Sequence, residues 1–161
     1  MTPRSRLTRE YLRIPAAKCT WLLFALMIFA LPVSAQAPPP ARGNAQAMLF
    51  GTFADDYGST HVVSDTLWSH GSRLHYRIVK WNEAGQYLIA QNDAANPSEG
   101  SLWTRIDWMS LPGMAPFEWG FCLSAYKAAT AAEAEATRVA NRATPRTGCN
   151  GFPFTRMKRA P

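Results

Sequence analysis

Trp103, Arg105 and Asp107 alternate along a short apolar run, so an extended chain puts a ring, a guanidinium and a carboxylate on one face. Such a face can hold a polar ligand with an apolar side, such as a sugar or a peptide, and Trp81 on a neighbouring run is placed to join it. The plainer use of the same residues is an Arg–Asp pair beneath a packed Trp. Asp65, His75 and Asp107 would suit an exported hydrolase working by general acid–base chemistry, provided that they converge. The histidines His61, His70 and His75 invite a zinc reading. Pairing the second and third strands through a 69–73 loop, however, sets Trp68 opposite Leu74. That register brings His61 toward Trp81 and His75 toward Leu67, which separates the imidazoles, so no metal site is expected. Asn92, Asp93, Asn96 and Glu99 offer oxygens for calcium, but their spacing fits no calcium loop, and Asx residues at a strand end form turns. Phosphate-binding glycine loops, G-x-S-x-G and H-E-x-x-H are all absent, and no cofactor is expected.

Most of these residues lie on a succession of strand-like runs at 48–54, 59–68, 74–81, 86–92, 102–109 and 118–126, with His70, Asp93, Asn96 and Glu99 in the loops between them. Each run is short, rich in β-branched and aromatic residues, and bounded by Gly, Pro, Asn or Asp. They predict a mainly β domain, a six-stranded antiparallel meander in a twisted sheet or partly closed barrel. Gly51-Thr52-Phe53 in the first run resembles the G-x-W that opens lipocalin-like barrels, with Phe in place of Trp. One three-residue match assigns no family; it implies only a curled rather than a flat sheet. The period then changes. Thr130 and Glu133 are spaced as a capping box, and good helix formers continue until Pro145 and Gly148. A C-terminal α-helix is expected over about 131–143. The tail beyond it is expected to dock through Phe152 and Phe154 and to leave its basic end free.

The chain of 161 residues has room for one domain, and 47% hydrophobic with 17% charged residues is not a disordered composition. Its net charge of +6 suggests nucleic acid, but Arg4, Arg6, Arg9, Arg13 and Lys18 stand against Glu10 alone before Trp21. Four of the six net charges therefore belong to a basic start. The uncharged run WLLFALMIFALPV follows, and then Val33-Ser34-Ala35, a small-residue cleavage site. Residues 1–35 read as a secretory signal peptide, residues 36–47 as a flexible Pro/Ala-rich leader, and 48–161 as the folded domain. The apolar run is too short to span a membrane as a helix. No nucleic acid partner and no stable membrane span are expected after cleavage; the compartment is periplasmic or extracellular, of bacterial type.

Removing the signal leaves two cysteines, Cys122 and Cys149, an even count that argues for a disulfide in an exported chain. The function expected is that of a small exported binding protein whose ligand is a sugar, a peptide or an envelope component, contacted by Trp81, Trp103, Arg105 and Asp107. The alternatives are a structural envelope protein without a pocket and, third, the Asp/His hydrolase.

Overall fold

The computed structural model describes residues 44–161. The expected signal peptide and most of the leader lie outside the described residues. A helical turn, α1 (Asn44–Ala47), leads into eight strands. These are β1 (Gly51–Asp55), β2 (Thr60–Val63), β3 (Leu67–His70), β4 (Leu74–Asn82), β5 (Tyr87–Asn92), β6 (Trp103–Ser110), β7 (Trp119–Ala128) and β8 (Thr155–Arg159). Each pairs antiparallel with the next, and β8 pairs with β1, which closes a barrel. The mainly β, antiparallel expectation holds, with eight strands where six were expected.

Two features hidden in the sequence account for the difference. The run 59–68 is not one strand, because Ser64 breaks it. Its Oγ accepts from the amides of Thr66 and Leu67, an ST-turn that folds β3 back on β2. The basic tail is not free either, since Phe53 to Asp55 of β1 pair with Arg159 to Met157. Arg159 stacks over Phe53 at 4.5 Å and donates to the Phe50 and Met48 carbonyls. Gly51 lies beneath that guanidinium, where a Cβ would come within 2.5 Å of Nη1.

Alternation sends one side of each strand inward. Phe53, Val63, Trp68, Ile78, Leu88, Ile106, Trp108, Trp119, Phe121 and Met157 form one buried cluster. The aromatic members meet edge to face: Trp119 lies 5.1 Å from Phe53 and 5.7 Å from Trp68.

A strap covers the outside of β5, β6 and β7. It begins with α2 (Ala131–Ala136), capped by Thr130, whose Oγ1 accepts from the Glu133 amide, while Glu133 reaches back to the amide of Ala129. The helix ends at Ala136 rather than near 143. Beyond it the alanine-rich run has little apolar bulk to bury as a helix, whereas an irregular path lets Arg142 reach the barrel. That guanidinium donates to the carbonyls of Trp108, Gly85 and Gln86. The Cys122–Cys149 disulfide pins the far end of the strap to β7.

Candidate functional site

Pairing of β7 with β8 ends at Phe121↔Thr155, yet β7 continues to Ala128. The wall of the barrel is therefore incomplete above Thr155. The turn 149–153 fills part of the gap and leaves a cavity of about 450 Å³ at the barrel mouth. Trp68, Tyr76, Ile106, Phe121 and Leu123 give it an apolar lining, and Asp55, His61 and His70 form its polar corner.

The polar corner is built by turn chemistry and register. Asp55 ends β1, and its Oδ1 accepts the amides of Tyr57 at 3.0 Å and Ser59 at 2.7 Å. Its Oδ2 lies 3.1 Å from His61 Nε2. Burial alone would raise the Asp55 pKa, but the bonds from His61, Ser59 and Tyr57 outweigh it and hold the carboxyl below its ordinary value. On the other side of the ring, Trp68 Nε1 donates to His61 Nδ1 at 3.0 Å. An indole nitrogen can only donate, so Nδ1 must be the acceptor and Nε2 carries the proton toward Asp55. Burial pushes the His61 pKa down, Asp55 pulls the other way, and nearby His70 adds to the lowering. His61 is thus neutral, in a fixed tautomer, with both nitrogens engaged.

His70 faces His61 directly across the β2–β3 pair and stacks on it, centroids 4.3 Å apart and planes 20° apart. His75 pairs with Ser69 and stays apart from His61, as the register argument expects; the correction concerns His70, which was expected in a loop and lies on β3. The β3–β4 turn is tighter than a 69–73 loop; Gly71 takes φ 59°, Trp68 pairs with Tyr76, and His70 pairs with Leu74. Ligand atoms of Asp55, His61 and His70 lie within 4.8 Å of one another. The donor types suit zinc, but the lone pair of His61 Nε2 is not available while Trp68 holds Nδ1 as an acceptor. A metal there would set one N–H against another, so the cluster fits a hydrogen-bonded network better than an ion.

That network makes stability sensitive to acid. The folded pKa of His61 lies below the 6.5 of an ordinary histidine, so its contribution is complete above about pH 6.5 and is lost as pH falls toward the folded value. Asp55 adds a second loss below the 3.8 of an ordinary aspartate. His61→Gln keeps a donor for Asp55 and an acceptor for Trp68 but does not titrate. Melting temperatures recorded from pH 7.5 to 5 are expected to fall more steeply for the natural protein than for this variant. Parallel curves would refute the neutral, tautomer-locked histidine.

The residues expected to bind ligand are divided by the barrel wall. Trp103, Arg105 and Asp107 share the outer face of β6, as alternation requires. Arg105 and Asp107 are closed under the strap, 3% and 0% exposed, and pair at 3.0 Å. Trp103 packs beside Tyr87, Ile89, Ala128 and Ala134. Trp81 belongs to the interior side, because a bulge between Ile78 and Lys80 reverses the alternation of β4. There it meets Phe50 edge to face and donates to the Asp65 carbonyl.

Asp65, His75 and Asp107 do not come together. Asp65 sits in the β2–β3 turn, His75 bonds Ser69, and Asp107 lies under the strap. Asn92, Asp93 and Asn96 act as loop formers: Asn96 holds both the amide and the carbonyl of His75, and Asn92 holds the carbonyls of Glu99 and Tyr126. In comparisons with known proteins, the chain matches no protein-family model, no curated protein and no solved structure.

Proposed function

We propose that the protein is a small exported binding barrel that takes one small, largely apolar molecule into the mouth cavity. The observation that carries this reading is a cavity of about 450 Å³ with an aromatic wall and polar groups that include the His70 ring and the Tyr76 hydroxyl. Neither makes a hydrogen bond among the described residues. Burial raises the Tyr76 pKa, with the Glu99 charge adding to it, so the hydroxyl keeps its proton and can donate. An apolar pocket in the ordinary ligand size range with a few convergent polar groups is the usual form of a small-molecule site. Eight-stranded barrels are wide enough to hold one small ligand. Arg105 and Asp107 are engaged with each other and with the strap, so the ligand reading moves from the outer face to the mouth. His61 has no free lone pair to act as a base, and Asp65, His75 and Asp107 lie apart, which favours binding over the Asp/His hydrolase. Export is supported by the pattern of residues 1–35 and by the disulfide.

The test is a fluorescence titration with N-phenyl-1-naphthylamine, a neutral apolar probe. One saturable site is expected. Leu123→Trp, which puts an indole into the cavity, should weaken it at least about tenfold while leaving the far-UV spectrum unchanged. Absence of saturable binding, or equal binding by the variant, would overturn the proposal. Native mass spectrometry of protein from the exported fraction then reports the molecule that travels with it.

A further inference from the structure

The mouth cavity has a neighbour. Tyr57 and Pro153, which line it, also line a groove of about 680 Å³ whose walls include Leu111, Met114 and Phe154. One exposed tyrosine, 74% accessible on the β1–β2 turn, and one proline therefore stand between the two spaces. Their chemistry differs. The mouth is aromatic, with its one carboxylate, Asp55, already bonded through both oxygens. The groove carries two guanidinium groups, Arg146 and Arg156. Arg156 is committed to Asp56 at 2.8 Å and stacks over Phe117 at 4.5 Å. Arg146 is exposed and has no hydrogen bond or ion pair among the described residues. With the Asp56 charge matched by Arg156, Arg146 leaves the groove with one uncompensated positive charge.

Resting on the mouth cavity being a ligand site, we infer that its ligand is an anionic amphiphile. The largely apolar body fills the aromatic mouth, where the His70 ring and the Tyr76 hydroxyl can meet a polar group along it, the chain passes Tyr57 and Pro153, and an acid head meets Arg146 in the groove. Head-in binding is disfavoured, because it would bring a second anion against buried Asp55. A cationic head would face Arg146, and a neutral head would gain no charge-assisted bond. A guanidinium fork matches a carboxylate in both charge and shape.

The experiment uses the disulfide-intact protein and displacement of N-phenyl-1-naphthylamine by decanoate and by 1-decanol, which share a chain and differ in the head. Decanoate is expected to displace the probe at a concentration about threefold lower, as one exposed ion pair allows. Arg146→Gln should bring decanoate to the level of decanol and leave the affinity for the neutral probe unchanged. Raising the salt should shrink the preference in the natural protein, because Arg146 is exposed. If the probe binds but the two chains compete equally, or if Arg146→Gln leaves the preference intact, the amphiphile inference fails and the cavity reading stands. If the probe does not bind at all, both fail.

Discussion

Asp107→Ala is expected to cost about 3–5 kcal/mol, the range for removing one partner of a buried ion pair. Asp107 is fully buried and accepts four hydrogen bonds beneath the strap. Its two oxygens take Arg105 Nε and Nη2, both at 3.0 Å. Arg142 Nη2 and the Ser124 hydroxyl complete the set. Without the carboxylate, the Arg105 guanidinium keeps only the Glu135 carbonyl and the face of Tyr87, 4.0 Å away. A positive charge then stays buried with two donors unmet, and that penalty exceeds the worth of the bonds themselves. Asp107→Asn should be nearly as damaging, since an amide N–H would face the guanidinium. The double change Arg105→Met with Asp107→Leu removes both charges and should recover most of the loss, because a well-packed apolar pair often matches a buried ion pair. Urea denaturation measures all three. The account fails if Asp107→Ala lies within about 1 kcal/mol of the natural protein, the ordinary range of a surface pair. It also fails if the double variant is no more stable than the single one.

The order of residues was enough to show a β meander, because apolar alternation broken by turn residues is a local signal. The disulfide was legible for the same kind of reason, being the even pair left in the expected mature chain. The thing not legible was closure. β8 is a strand only because β1 and β7 flank it, and nothing in TRMKR alternates strongly enough to show that. Ser64 hid a turn inside a β-branched run, where its own hydroxyl, and not a Gly or Pro, makes the break. These two omissions removed the evidence of a mouth.

The polar corner failed to emerge from the sequence through register. His61 and His70 are nine positions apart, and only a β2–β3 hairpin with its turn at Ser64 sets them face to face. A shift of two residues in the β3–β4 pairing was enough to send Trp68 to the wrong partner. The signal that could have found the corner is Asp55-Asp56-Tyr57-Gly58 followed by His61 and Trp68. A turn aspartate six residues before an inward histidine is in reach of it once that histidine is placed on the inner face. The Arg105–Asp107 grouping was legible because period 2 is local. Its burial was not, since the cover comes from a strap about thirty residues further along the chain, whose helix propensity gave no hint of the path that Arg142 takes.

Cys122→Ala with Cys149→Ala should cost about 3.5 kcal/mol, and its effect should be concentrated in the strap and the mouth. The bridge spans a sequence separation of 27, and the chain-entropy argument gives that magnitude for a loop of this length. Alanine is the better replacement, because Cys122 is buried with Ala140 and Phe154, where a serine hydroxyl would be a second penalty. The barrel does not depend on the bridge for closure: β8 pairs with β1 and β7 on its own residues. The strap does, because α2 is short and the stretch that follows it is held chiefly by Arg142 and the disulfide. The far-UV spectrum should therefore persist at 25 °C, while amide hydrogen exchange speeds up across 137–154. Cys149, Phe152 and Pro153 also wall the cavity, so the same release should weaken N-phenyl-1-naphthylamine binding and should do so equally in the protein reduced by dithiothreitol. Retention of full probe affinity in the folded, reduced protein would show that the turn 149–153 holds the mouth without the bridge. Loss of the β spectrum itself would show that the strap, and not strand pairing, keeps the barrel closed.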